Sequence, residues 1–149
     1  MDMGPVEVAP TESLDVDGLA LAFTPVSVGN PHAVIAREPE RTELLRLGPL
    51  VENHPRFPER TNVQLMRVDS RTETTAGVWE RGAGETKACG TGACAAVVAG
   101  VRRGLVDSPV RVETRGGWLT IAWPGPGAPV TMSGPAVTVF EGEWEVPAA

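Results

Sequence analysis

Cys89 and Cys94 are the most nucleophilic side chains in the sequence. Both fall in its most unusual stretch, Glu80-Arg81-Gly82-Ala83-Gly84-Glu85-Thr86-Lys87-Ala88-Cys89-Gly90-Thr91-Gly92-Ala93-Cys94. A glycine-rich segment there gives way, near Cys89, to an apolar run that reads as a helix. The first N–H groups of a helix have no partner inside it, and the helix dipole makes that end favourable for anions. A carboxylate or phosphate is therefore expected at this start, with Gly90 and Gly92 letting it approach the backbone. A thiol in the same place has its thiolate stabilised, which suits a general base or a nucleophile. Cys94 lies within the apolar run and is expected to be a buried, inert small hydrophobe.

Other chemistries fit less well. The spacing of the two cysteines is not that of a C-x-x-C redox or zinc site, and there is no second pair to complete one, so no metal is expected. Gly82-x-Gly84 does not continue into a dinucleotide fingerprint, and a Walker sequence is absent. Lys87 is the only lysine and thus the only candidate for a pyridoxal phosphate Schiff base; it reads as a solvent-facing loop residue. A cysteine–histidine hydrolase would have to use His32 or His54 as its base, and nothing in the sequence places either beside Cys89. Asp15-x-Asp17-Gly18 has the opening of a calcium loop but lacks the later glutamate, and a hairpin turn is expected instead.

The elements that must position these residues follow from periodicity. Ala88 to Arg103 is the one long helix, apolar on every side from Ala93 to Val101 and therefore buried all round. Its glycines and alanines keep it thin enough to sit inside a curled sheet. Glu40 to Leu50 reads as a short surface helix that Gly48-Pro49 brings to its end. Strands are expected from Ser13 through a turn to Val28, over Ala33–Ala36, over Thr61–Asp69 and over Thr72–Glu80. Four more follow the long helix: Val110–Thr114, Trp118–Trp123, Val130–Met132 and Ala136–Val146. The expected class is α+β, a mostly antiparallel, strongly curled, barrel-like sheet around one central buried helix.

Bulk composition narrows the partners. The 149 residues are enough for a single domain with a real core. A net charge of −6 with no basic stripe argues against nucleic acid. No apolar run is long enough to span a membrane, and no secretory signal is visible. Free thiols suit a cytoplasmic setting.

The long cysteine stretch resembles the signature of diaminopimelate epimerases. Two further segments match that family in the same order: Val28-Gly29-Asn30-Pro31-His32 resembles its Gly-Asn-Pro-His segment, and Phe57-Pro58-Glu59-Arg60-Thr61-Asn62-Val63 resembles its Phe-Pro-x-x-x-Asn-Val segment. The resemblance runs over essentially the whole chain. It implies one half of a pseudo-symmetric two-domain fold, with diaminopimelate bound between the halves and one catalytic cysteine from each. Neither pyridoxal phosphate nor a metal takes part, so no cofactor is expected. Residue by residue, it implies that Cys89 is a catalytic acid/base thiol. Gly90 and Thr91 would bind the reacting carboxylate. Asn30, Asn62 and Arg81 would hold the distal amino-acid end of the substrate, and Glu80 and His32 would be polar neighbours of the reacting centre.

Residues 1–149 correspond to the C-terminal half alone, and the family's N-terminal half, with its own cysteine motif, has no counterpart here. The resemblance thus implies epimerisation of LL-diaminopimelate to meso-diaminopimelate, with this chain supplying one thiol and the N-terminal domain as its partner. By itself the chain is expected not to epimerise, and to self-associate, with a homodimer as one form. Two alternatives from the residues remain: another two-thiol amino-acid racemase of the same fold, or a non-catalytic carboxylate-binding half-domain.

Overall fold

The computed structural model describes residues 1–149. Its elements, in chain order, are β1 (Glu7–Val8), β2 (Glu12–Val16), β3 (Leu19–Ser27), β4 (Pro31–Ala36), α1 (Arg41–Glu52), β5 (Asn62–Ser70), β6 (Glu73–Glu80), β7 (Gly84–Thr86), α2 (Gly90–Arg102), β8 (Val110–Thr114), β9 (Gly117–Ala122) and β10 (Thr131–Ser133). The strands form one sheet in the order β1-β3-β4-β5-β6-β8-β9-β10, with β2 added to β3 and β7 to β6. Most pairs are antiparallel. The two parallel pairs, β4 with β5 and β6 with β8, are those whose connections run through α1 and α2.

The sheet curls around α2 because that helix offers side chains small enough to be surrounded. Gly92 to Gly100 are all buried, and the strand residues packed on them include Val26, Val34, Met66, Val110, Val112 and Ile121. Residues 1–8 complete the curl. Met3 and Gly4 hydrogen-bond with Val130, Asp2 bridges to Thr131, and Glu7–Val8 then pairs with β3 at the other edge. The opposite face of β4 and β5 carries α1. Ala33, Ile35, Val63 and Leu65 pack with Leu44, Leu47 and Val51 in a second core, while Val34, Gln64 and Met66 face inward with the α2 core. With both faces buried, the simple apolar–polar alternation of β5 is lost, although the strand itself is legible.

Several boundaries differ from the sequence reading for identifiable reasons. α1 runs through Gly48-Pro49 to Glu52 because Val51, with no exposed surface, draws a further turn into the second core. The Asn53 backbone and side chain both donate to the carbonyl of Pro49 to end it. The Asp17-Gly18 turn is a tight hairpin with positive φ at both residues, 51° and 80°, as expected of that pair. The glycine-rich segment after β6 is no loose loop: it folds back at once as β7, pairing Glu80 with Gly84. The strand expected over Ala136–Val146 does not form. That stretch has strand-like alternation but pairs with no strand, and Val137, Val139, Phe140, Trp144 and Val146 are each at least 80% exposed.

Candidate active site

Cys89 is the N-cap of α2. Its backbone is extended (φ −139°, ψ 113°), and its sulfur accepts a hydrogen bond from the Gly92 N–H at 3.3 Å. The first bond of the helix ladder is Ala93 N–H to Cys89 O, 2.9 Å, so the N–H groups of Gly90 and Thr91 lie ahead of the ladder. All three residues are partly exposed. Cys94 has no exposed surface, and burial, helped by the charge of Cys89, pushes its thiol up to about 12. Two cysteines on one helix are thereby separated into an accessible thiol at the helix mouth and an inert one about 7.5 Å deeper.

Gly90 and Gly92 also serve the packing. A Cβ on Gly92 would meet Gln64 Nε2 at 2.8 Å, and one on Gly90 would meet Met132 Sδ at 3.1 Å. The absence of side chains here lets the helix start approach β5 and β10.

A hydrogen-bonded line leads away from the sulfur. Thr91 Oγ1 lies 3.4 Å from Cys89 Sγ and accepts from Asn30 Nδ2 at 3.2 Å. Asn30 Oδ1 lies 3.0 Å from His32 Nε2, and His32 Nδ1 lies 3.2 Å from Gln64 Oε1. His32 is 2% exposed. Burial lowers its pKa from 6.5 to about 4, partly opposed by its bond to Gln64 and aided by the charge of Arg81. Both ring nitrogens are engaged, so His32 meets Cys89 only through Asn30 and Thr91, and no direct cysteine–histidine dyad forms. His54 is occupied elsewhere, with Asp15 O and the Arg56 N–H.

Asn62 joins the motif segments. Its Oδ1 accepts from the Arg81 N–H at 2.7 Å, and its Nδ2 donates to Pro31 O at 3.0 Å. Arg81 itself is exposed, with one side-chain bond, from Nη1 to Glu59 O at 3.3 Å. Glu80 accepts from the Thr86 hydroxyl at 2.8 Å. The expected site residues thus fall into two groups. Cys89, Thr91, Asn30 and His32 form one connected line, and Asn62 with Arg81 forms a brace beside it. No hydrogen bond links Glu80 to either.

Two residues of this region were not singled out from the sequence. Gln64 ends the line on the wholly buried face of β5, where a glutamine among Met and Val is the one available signal. Glu52 is a buried carboxylate that accepts from the Gly82 N–H (2.8 Å), Trp79 Nε1 (2.7 Å) and Arg60 Nη1 (3.2 Å), and so pins the turn carrying Arg81. It lies at the end of α1, beyond the helix expected to end by Leu50, and gave no sequence signal. Lys87 is exposed, and no three His, Cys, Asp or Glu side chains gather in a way that could hold a metal ion. No helix is long and apolar enough to cross a membrane.

A family model described as diaminopimelate epimerase matches residues 24–139, which include all the residues of the line and the brace. The chain belongs to the diaminopimelate epimerase family. It is 51% identical to a diaminopimelate epimerase of Stutzerimonas stutzeri, over 96% of this chain and 56% of that protein. It is 58% identical to one of Cupriavidus metallidurans, over 87% and 45%. The chain therefore spans about half the length of the curated relatives it matches. In fold it is similar to a hydroxyproline epimerase of Agrobacterium vitis, with a TM-score of 0.60 at 18% identity, covering 86% of this chain and 46% of that one.

Proposed function

We propose that this chain is the C-terminal catalytic half of a diaminopimelate epimerase, acting in the cytoplasm on LL-diaminopimelate to give the meso form. The observation that carries the reading is Cys89 as N-cap: an accessible thiol whose sulfur lies within one helical turn of the N–H groups of Gly90 and Thr91. A substrate carboxylate set on those groups brings its α-carbon to the sulfur. The Cys89 thiolate removes the α-proton, and the electron pair delocalises into the carboxylate, where the helix start stabilises it. Each lost donor in such a site typically costs about 3–4 kcal/mol of transition-state stabilisation. A second thiol, on the opposite face of the carbon, returns a proton with inversion. Neither step calls for pyridoxal phosphate or a metal.

Asn30, Asn62 and Arg81 hold the second amino-acid head, with the Arg81 fork suited to a carboxylate. Glu80 and neutral His32 assist around the reacting centre. Cys94 cannot be the second thiol, being buried along the helix axis. That thiol belongs to a second domain outside these 149 residues, facing Cys89 across the substrate. The exposed apolar side chains from Val137 to Val146 fit a chain that packs against such a partner or, without it, against another copy.

The test is α-proton exchange of diaminopimelate in D₂O followed by NMR. The chain alone should give no inversion. The chain combined with an N-terminal domain of the family should give both exchange and inversion. Inversion by the chain alone, or turnover of proline in place of diaminopimelate by the assembled enzyme, would overturn the assignment.

A further inference from the structure

The two carbonyl oxygens at His32 pose a conflict. Gln64 Oε1 and Asn30 Oδ1 face its two ring nitrogens. Only a charged imidazolium donates from both, and a neutral ring has a single donor. Burial keeps His32 neutral at physiological pH. In the same place Gln64 Nε2, fully buried, has no acceptor. A buried N–H without a partner is rarer and costlier than a buried carbonyl without one.

Half a turn of the Gln64 amide about its terminal bond removes both difficulties. Its N–H then donates to His32 Nδ1. Its oxygen takes the place that faces the Gly92 α-carbon, where an added Cβ would lie 2.8 Å away and where an α-hydrogen can point at it. The oxygen and nitrogen ends of an amide have nearly the same shape, so the hydrogen-bond network decides between them.

We infer that Gln64 is a positioning residue that fixes His32 as the Nε2–H tautomer and so sets the direction of the whole line toward Cys89. Gln64 Nε2 donates to His32 Nδ1, and His32 Nε2–H donates to Asn30 Oδ1. Asn30 Nδ2 donates to Thr91 Oγ1, which leaves the Thr91 hydroxyl proton for Cys89 Sγ. The sulfur then receives two donors, the Thr91 O–H and the Gly92 N–H, which is what a thiolate needs. In the reversed line His32 Nδ1–H donates to Gln64, Asn30 turns over, and the Thr91 hydroxyl donates to Asn30. Cys89 must then act as donor, as a thiol. No proton has to travel along the line, because its orientation alone selects which form of Cys89 is favoured. The charged and titratable groups acting here are Arg81 on His32 and Cys94 beside Cys89. The catalytic consequence rests on the epimerase reading; the tautomer does not.

The test is ¹⁵N NMR of histidine-labelled chain at neutral pH, with His32→Gln to assign the two histidines. His32 should show a protonated Nε2 and a bare Nδ1. Gln64→Glu should move the proton to Nδ1, and should slow alkylation of Cys89 about tenfold, the worth of one hydrogen bond to a charged group. Gln64→Met, which keeps the length without the donor, should slow it in the same direction. A wild-type His32 protonated on Nδ1 would overturn the inference, and so would a Cys89 alkylation rate untouched by both variants. If Gln64→Glu does not fold, the wild-type tautomer still decides. Should the tautomer be as stated while the assembled enzyme keeps its exchange activity in Cys89→Ala, the line stands and the epimerase reading falls.

Discussion

The two ends of α2 face the same physical problem and resolve it in opposite ways. At its end, the chain caps its own orphan carbonyls. Arg103, Gly104 and Leu105 donate back to Ala99, Val101 and Gly100; Gly104 adopts φ 70°; and Arg71 binds both Gly104 O and the Asp107 carboxylate. At its start, a cysteine sulfur takes the Gly92 N–H, and the two N–H groups before it face the surface beside a line of polar side chains. An end that the protein seals serves the fold. An end left open, with a thiol and oriented donors around it, is available to a ligand. The helix between is uniformly apolar, so the difference is made by the flanking residues and not by the helix itself.

The sharpest way to break this comparison is to remove the sulfur. Cys89→Ala in the assembled two-domain enzyme should lower the rate of α-proton exchange by about 10²–10⁴-fold, the usual worth of a positioned acid/base group. Cys94→Ala should leave the rate within a few-fold. It should cost stability instead, through a small cavity, by about 1–2 kcal/mol in urea denaturation. Equal losses of exchange in the two variants would erase the distinction between mouth and interior.

Chemical labelling gives the next largest contrast. With its thiol pushed up to about 12, Cys94 is thiolate in only about one molecule in 10⁵ at pH 7, and it is also sealed from reagent. Brief iodoacetamide treatment followed by peptide mass spectrometry should modify Cys89 first, by at least about a hundredfold. Preferential labelling of Cys94 would mean that the helix start is not where the thiol is accessible.

The buried line at the start should also make the fold sensitive to acid. His32 has a folded-state pKa of about 4 against 6.5 in the unfolded chain, so between those values the unfolded state binds more protons. Stability should therefore be complete above pH 6.5, fall as pH drops toward 4, and lose up to about 3 kcal/mol from this group. Urea midpoints across that range should slope with pH in the wild type and flatten in His32→Leu. An unchanged slope in the variant would assign the acid sensitivity to other groups.

At the sealed end a substitution should act on stability alone. A Cβ on Gly100 would meet Val106 Cγ2 at 2.8 Å, and Val106 is itself buried. Gly100→Ala should lower stability by about 1–3 kcal/mol through overpacking, without altering Cys89 alkylation. A change in that alkylation would show the two ends to be coupled through the helix.

Much of this was legible in the chain itself. An all-apolar run of small residues can only be a thin helix buried on every side, and that alone requires a sheet curled around it. The glycine-flanked Cys89 marks the start of that helix, because the backbone there must expose N–H groups. Asn30, His32, Asn62, Arg81, Gly90 and Thr91 were named through their motifs; the structure links Asn30, His32 and Thr91 to Cys89 in one hydrogen-bonded line and pairs Asn62 with Arg81. Sequence could not supply what depends on distant segments meeting. The strand pattern of Val137–Val146 is only a potential until another strand pairs with it, and here none does. Glu52 reads as an ordinary surface acid until the Gly82 turn and the Trp79 indole close over it. Gln64 reads as a misfit in an apolar strand until α2 is laid against it and His32 arrives from the neighbouring strand. Local spacing determines which backbone groups and which thiol are exposed at a helix end. The direction in which the surrounding hydrogen bonds run is decided only by tertiary packing, because the bonds that join Asn30 to Thr91 and His32 to Gln64 link segments far apart in the chain.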